Sequence, residues 1–122
     1  MEALRVLIIE DNALIAAALS EMLADMGHGV CATAATEAEA VVAANRYKPD
    51  LMIVDAGLGG GSGVSAVKKI LRAKPVAHVF VTGDPRRVHA RMAGNPVVCK
   101  PFHAAELAKA IQIALAAAAP PL

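Results

Sequence analysis

Aromatic side chains are nearly missing: the 122 residues include no tryptophan, one tyrosine and two phenylalanines. The core must therefore be built from Val, Ile, Leu, Met and Ala. The 57 % hydrophobic content is ample for that, although alanine inflates it and biases the chain toward helix. Net charge is also scarce. At a formal +1, with no aromatics interleaved among the cations, the chain lacks the electrostatic and stacking footprint of a nucleic-acid binder. The only cysteines, Cys31 and Cys99, stand far apart without metal-ligand spacing. Each lies in an apolar, strand-like run, which predicts two buried, reduced thiols. No apolar run approaches the roughly 18 residues of a membrane span. Met-Glu-Ala leads directly into a strand rather than a signal peptide. The expectation is a cytoplasmic protein with no membrane partner, and a length of 122 residues suits one domain spanning 1–122.

What the chain does have is a regular alternation of short apolar runs with longer helical ones. Strands are predicted at Arg5–Ile9, Val30–Thr33, Leu51–Val54, His78–Val81 and Val97–Cys99. Helices are predicted at Ala13–Met26, capped by Asn12 and stopped by Gly27, and from a Thr36/Glu39 capping box to about Asn45. Further helices are expected at Val64–Ala73 and at Ala104–Ala119, the latter stopped by Pro120 and Pro121. Pro85–Met92 has room for one short helix only. Strand–helix alternation calls for a parallel sheet covered by helices on both faces, and unbroken apolar strands are what such a sheet needs.

In an open parallel sheet, ligands bind beyond the carboxyl ends of the strands. At those ends stand Glu10 and Asp11, then Asp55, then Thr82, then Lys100, whereas the second strand ends without reactive groups at Thr33 and Ala34. Three carboxylates in one place repel, and at least one pKa must rise unless cations intervene. Lys100 offsets one charge, and a single divalent cation such as Mg²⁺ or Mn²⁺ would balance the rest with hard oxygen ligands. A carboxylate can attack phosphorus to form an acyl phosphate, whose oxygens then need a metal, an ammonium and a hydroxyl around them. Asp11 and Asp55 suit the metal, Lys100 the ammonium and Thr82 the hydroxyl.

The segments Val6–Asn12 (VLIIEDN), Lys48–Leu58 (KPDLMIVDAGL), Val79–Gly83 (VFVTG) and Val97–Phe102 (VVCKPF) together resemble the receiver domain of two-component response regulators. The resemblance spans essentially the whole chain. It implies a flavodoxin-like, doubly wound five-stranded parallel sheet of order 2-1-3-4-5. It also implies that Asp55 accepts a phosphoryl group from a sensor histidine kinase or a histidine phosphotransfer protein. Mg²⁺ or Mn²⁺ would be held by Asp11, Asp55 and the backbone carbonyl of Gly57, with Glu10 acting through water. Lys100 would bind the phosphoryl group and precede a cis peptide to Pro101. Signalling would run through protein–protein contacts, in a monomer or a phosphorylation-dependent dimer, with the chain a kinase substrate rather than an enzyme.

The sequence also departs from the family. An aromatic residue usually stands three positions before the lysine, where this chain has Val97. Phe80-Val81-Thr82-Gly83 is similar to the Phe-Ala-Thr-Gly motif of an atypical, stand-alone receiver subgroup. The Gly59–Gly63 loop lacks the Gly-Lys-Ser/Thr ending of a phosphate-binding P-loop. Arg86, Arg87, His89 and Arg91 form a basic cluster read as a solvated face, and His28, His78 and His103 fall on separate elements. Two alternatives stay open. One is a pseudo-receiver, a binding module not switched by phosphorylation. The other is a phosphatase of the haloacid dehalogenase type, which needs a second Asp where Gly57 stands.

Overall fold

The computed structural model describes residues 3–58, 61–89, 92 and 94–118, with Arg87 described through its backbone alone. Five strands, β1 (Arg5–Ile9), β2 (Gly29–Ala34), β3 (Leu51–Asp55), β4 (Ala77–Thr82) and β5 (Val97–Cys99), form one parallel sheet of order β2-β1-β3-β4-β5. Between and after them run α1 (Ala13–Asp25), α2 (Glu37–Tyr47), α3 (Gly63–Ala73), α4 (Pro85–His89) and α5 (Ala104–Ala118). This is the predicted doubly wound fold, including the short fourth helix. The expected stops at Pro120 and Pro121, the cluster member Arg91 and the loop residues Gly59 and Gly60 lie outside the described residues.

The strands are apolar throughout because both faces are covered, and their period of two sorts the side chains into two cores. Val6, Ile8, Ile53, Val79 and Val81 point to α1 and α5, where they meet Leu19, Leu23, Leu107 and Ile111. Leu7, Ile9, Met52, Val54 and Phe80 point the other way, to α2, α3 and Val88 of α4. Small Ala40 and Ala44 let α2 sit close to the sheet. With so few aromatics, Phe80 is the largest fully buried side chain.

Local signals place the helices. Asn12 Oδ1 accepts the amides of Leu14 and Ile15 at 2.9 and 3.2 Å, which starts α1 directly after the β1 acids. Gly27, at φ +89°, ends it in the left-handed region. Thr36 caps α2 through the Glu39 amide as predicted, but the reciprocal bond differs: Glu39 Oε2 takes the amide of Ala35 at 3.0 Å. The histidines are satisfied locally. His28 is buried with Nδ1 accepting from the Leu4 amide, and His78 bonds the Val76 carbonyl and Asn95.

The cysteine expectation is corrected. Cys31 is half-buried and Cys99 is exposed, because both lie on the two edge strands, which neighbours cover incompletely. Cys31 is also the extra residue of a bulge: Val6 pairs with Val30 and Leu7 with Ala32.

One glycine is fixed by contact rather than by conformation. A Cβ on Gly63, the first residue of α3, would overlap the carbonyl of Asp55 and a methyl of Val54. Gly63→Ala should therefore lower stability by about 1–3 kcal/mol, as overpacking does. Gly29→Ala, which meets nothing within 4 Å, should not. Urea midpoints of the two variants would check this, and equal midpoints would overturn it.

Candidate functional site at the carboxyl edge of the sheet

Parallel strands in matched register bring their carboxyl ends to one edge. Ile9 pairs with Val54, Asp55 with Val81, and Thr82 with Cys99. The residues that follow these strands therefore converge, although they lie up to 90 positions apart in the chain.

Lys100 is the hub. Its ammonium lies 3.3 Å from Glu10 Oε1 and 3.4 Å from Asp55 Oδ2. The Glu10 side chain is only 1 % exposed and that of Asp55 12 %, so both carboxylates are largely withdrawn from water. Glu10 Oε2 also accepts the Asn12 amide at 3.2 Å. Asp55 Oδ1 accepts the amide of Gly57 at 2.9 Å, an Asx-type turn that fixes this oxygen of the carboxylate. The Lys100–Pro101 peptide is cis.

Burial and crowding split the two acids. Burial pushes Glu10 up to about 7, reinforced by its hydrogen bond with Asp55 and only partly opposed by the Asn12 amide and Lys100. Burial also presses Asp55 upward. The hydrogen bond from Glu10, the Gly57 amide and the Lys100 ammonium together outweigh it and hold Asp55 below the usual carboxylate range. Below about pH 7 the pair thus favours a single shared proton on Glu10, with Asp55 as the anion.

Asp11 is exposed at the rim. Carboxylate oxygens of Glu10, Asp11 and Asp55 lie within 4.8 Å of one another, and three hard oxygen donors of this kind fit Mg²⁺ or Mn²⁺. Gly57 sits in the turn after Asp55, where its amide meets Asp55 Oδ1. Thr82 is placed differently from its partners. It is buried at the end of β4, and its hydroxyl accepts the Asp84 amide at 3.1 Å and donates to the Asp84 carbonyl at 3.4 Å. The Asp84 carboxylate in turn accepts from the amide and Nε of Arg86 at the start of α4. Val97 is half-buried, pairs with Phe80 and packs on the core beneath α2 and α3.

A profile of the response regulator receiver domain matches residues 6–112. The chain belongs to this family. The receiver is 36 % identical over 117 residues to the phyllosphere-induced regulator PhyR of Methylorubrum extorquens, covering 93 % of this chain and 44 % of that protein. It is 36 % identical over 115 residues to the transcriptional regulatory protein PdtaR of Mycobacterium tuberculosis, covering 91 % of this chain and 56 % of that protein. Among solved structures, the solution structure of the receiver domain of Erythrobacter litoralis PhyR superposes with a TM-score of 0.90 at 35 % identity, covering 100 % of this chain and 97 % of that one. The crystal structure of the anti-anti-sigma factor PhyR from Bartonella quintana gives a TM-score of 0.78 at 35 % identity, covering 96 % of this chain and 48 % of that one. The receiver therefore spans about half the length of the curated relatives it matches. Membership in the family carries its two-component signalling context. Among the described residues, no helix is long and apolar enough to cross a membrane.

Sequence reasoning missed Glu37. It is the first residue of α2, 16 % exposed, and it accepts from the Ser62 amide and the Ser65 hydroxyl at 3.2 Å each and pairs with Lys69. Lys69 and the Ser62 amide hold its carboxyl below the usual range. Nothing in the sequence separates it from any other acid in the first turn of a helix, because its partners lie 25 to 32 residues away.

The shared proton has a measurable consequence. Between about pH 4.5 and 7 the folded, metal-free protein keeps a proton on Glu10 that the unfolded chain has released. The stability contributed by Glu10 should therefore fall as pH rises through that window, by about 2–3 kcal/mol. Asp55 acts in the opposite sense at lower pH, where its contribution is lost as the carboxylate is protonated. Urea denaturation in chelator from pH 5 to 8 should show the decline in wild type and a flatter profile in Glu10→Gln. Parallel profiles would refute the assignment.

Proposed function

We propose that this receiver takes a phosphoryl group on Asp55 from a phosphohistidine donor and passes the signal on through protein contacts. The observation that carries the reading is Asp55 itself: an anionic carboxylate at the end of β3, 3.4 Å from an ammonium and beside two further acids. Nucleophilic attack needs an unprotonated oxygen, and the Gly57 amide and the Lys100 ammonium beside the Asp55 carboxylate support its anionic form.

In the step, an Asp55 Oδ forms a bond to phosphorus while the P–N bond of the donor imidazole breaks, and the nitrogen keeps the electron pair. Asp11, Asp55 and the Gly57 carbonyl would hold Mg²⁺ or Mn²⁺, with Glu10 acting through water, and the ion would supply positive charge beside the transferring phosphoryl oxygens. Lys100 already faces Asp55 Oδ2 and is placed to follow the phosphoryl group as an ion-pair partner. The Thr82 hydroxyl would leave the Asp84 carbonyl and donate to a phosphoryl oxygen instead. No residue here supplies the second acid of a haloacid dehalogenase, since Gly57 stands in its place. The chain is accordingly proposed as a phosphorylated substrate and not a turnover phosphatase.

The PhyR relatives include a protein described as an anti-anti-sigma factor, but this chain covers 48 % of it. What carries over as a proposal is output by protein contact, to a histidine kinase or phosphotransfer protein upstream and an unidentified protein downstream. Retention of the acid set favours this switch over a pseudo-receiver.

Acetyl phosphate with Mg²⁺ should add a single phosphoryl group by intact mass. Asp55→Asn or chelation should abolish the addition, and Lys100→Ala should slow it by roughly 10²-fold or more, in line with loss of one preorganised electrostatic contact. An unmodified mass with both small donors and a phosphohistidine protein would sink the proposal.

A further inference from the structure

Glu37 makes more contacts than a helix-starting acid requires. Its Oε1 accepts the Ser62 amide at 3.2 Å, and its Oε2 accepts the Ser65 hydroxyl at 3.2 Å and the Lys69 ammonium. Ser62 is the N-cap of α3, its own hydroxyl accepting the Ser65 amide at 3.3 Å. The next residue, Gly63, donates its amide to the Ala56 carbonyl at 3.2 Å and lies so close to Asp55 that a Cβ would overlap the Asp55 carbonyl. Gly61 is shaped by the same carboxylate. It adopts φ +133°, and a Cβ there would meet Glu37 Oε1 at 2.9 Å. A chain of contacts therefore runs from Glu37 through Ser62 and Gly63 to the Asp55 and Ala56 carbonyls. The turn it reaches is the one in which the Gly57 amide holds Asp55 Oδ1.

We infer that Glu37 is a positioning residue for the phosphoryl site: from α2 it clamps the start of α3 against the Asp55 backbone and so fixes the turn that aims the acceptor carboxylate. This rests on Asp55 being the acceptor. A simple helix–helix staple is the competing explanation. A staple would need only the Lys69 ion pair, an exposed contact of the kind worth little by itself. Glu37 instead commits one oxygen to a loop amide, which a staple does not require. Outer-shell groups that orient a reactive carboxylate in this way are known to change affinity or activity without touching the ligand.

The test compares Glu37→Ala, Glu37→Gln and Ala44→Gly. The last weakens α2 at a buried position away from the loop. Three quantities are read: the urea midpoint, amide hydrogen exchange at Gly57 and Ser62 without any phosphodonor, and the initial rate of phosphorylation by acetyl phosphate at saturating Mg²⁺. Glu37→Ala should speed exchange at both amides and slow phosphorylation roughly tenfold. Glu37→Gln, which keeps one oxygen to accept the Ser62 amide and offers its NH₂ as a donor to the Ser65 hydroxyl oxygen, should restore both to near wild type. Ala44→Gly should lower the midpoint and leave exchange and rate alone. If Glu37→Ala matches Ala44→Gly in exchange and rate, the inference is overturned and Glu37 is a staple. If wild type accepts no phosphoryl group, the proposed function fails, and exchange at Gly57 still decides the positioning role. Should Glu37→Ala fail to fold, Lys69→Met separates the two ideas. It removes the ion pair but leaves the loop bonds, so it should keep wild-type exchange at Gly57, and accelerated exchange would favour the staple.

Discussion

The constraint on which this structure depends is the crowding of negative charge at one end of a dry sheet. Two carboxylates, nearly and largely buried, share a single ammonium at 3.3 and 3.4 Å, with a third acid at the rim. An isolated buried carboxylate is costly, and several together are more so. The protein meets this in two ways that stay within its own atoms. Lys100 reaches across from β5, and a proton remains on Glu10. Under the phosphoryl-acceptor reading both are provisional compensations, because an added cation would displace the proton and a phosphoryl group would draw on the lysine. A site held together by exchangeable charges is suited to gaining and losing a charged group, which a site satisfied by fixed neutral hydrogen bonds would resist.

Most of this was legible in the sequence for reasons that can be named. Fully buried parallel strands have unbroken apolar runs, so Val6–Ile9, Leu51–Val54 and Val79–Val81 declare themselves. The residue after each run then falls at the ligand-binding edge without further information. Helix starts at Asn12 and Thr36 follow from local cap chemistry. What was not legible depends on contacts made across the fold. The partial exposure of Cys31 and the full exposure of Cys99 come from edge position, which strand composition does not encode. The resting hydrogen bonds of Thr82 to Asp84 come from the turn after β4. Glu37 and Gly63 act on residues of other elements, and neither belongs to a local pattern.

The absence of an aromatic at position 97 moves the question from chemistry to transmission. Val97 is half-buried against the core and has no ring to rotate between an inner and an outer position. Thr82, however, is tied to its surroundings through both its backbone and its side chain. Its carbonyl accepts the Lys100 amide at 2.8 Å, and its hydroxyl holds the Asp84 backbone from both sides. Asp84 opens α4, which comprises five residues and is anchored in the core by Val88. Under the phosphoryl-acceptor reading, a Thr82 hydroxyl that turns to a phosphoryl oxygen gives up its bond to the Asp84 carbonyl, and the turn that sets the direction of α4 loses a constraint. A long helix would resist such a change through its many side-chain contacts with the sheet. Among the described residues, α4 has Val88 as its buried contact, with the Met92 amide on the Val88 carbonyl behind it, so it offers fewer such contacts. Under that same reading, with Val97 in place of an aromatic, the backbone after β4 would be the link between the Asp55 site and α4.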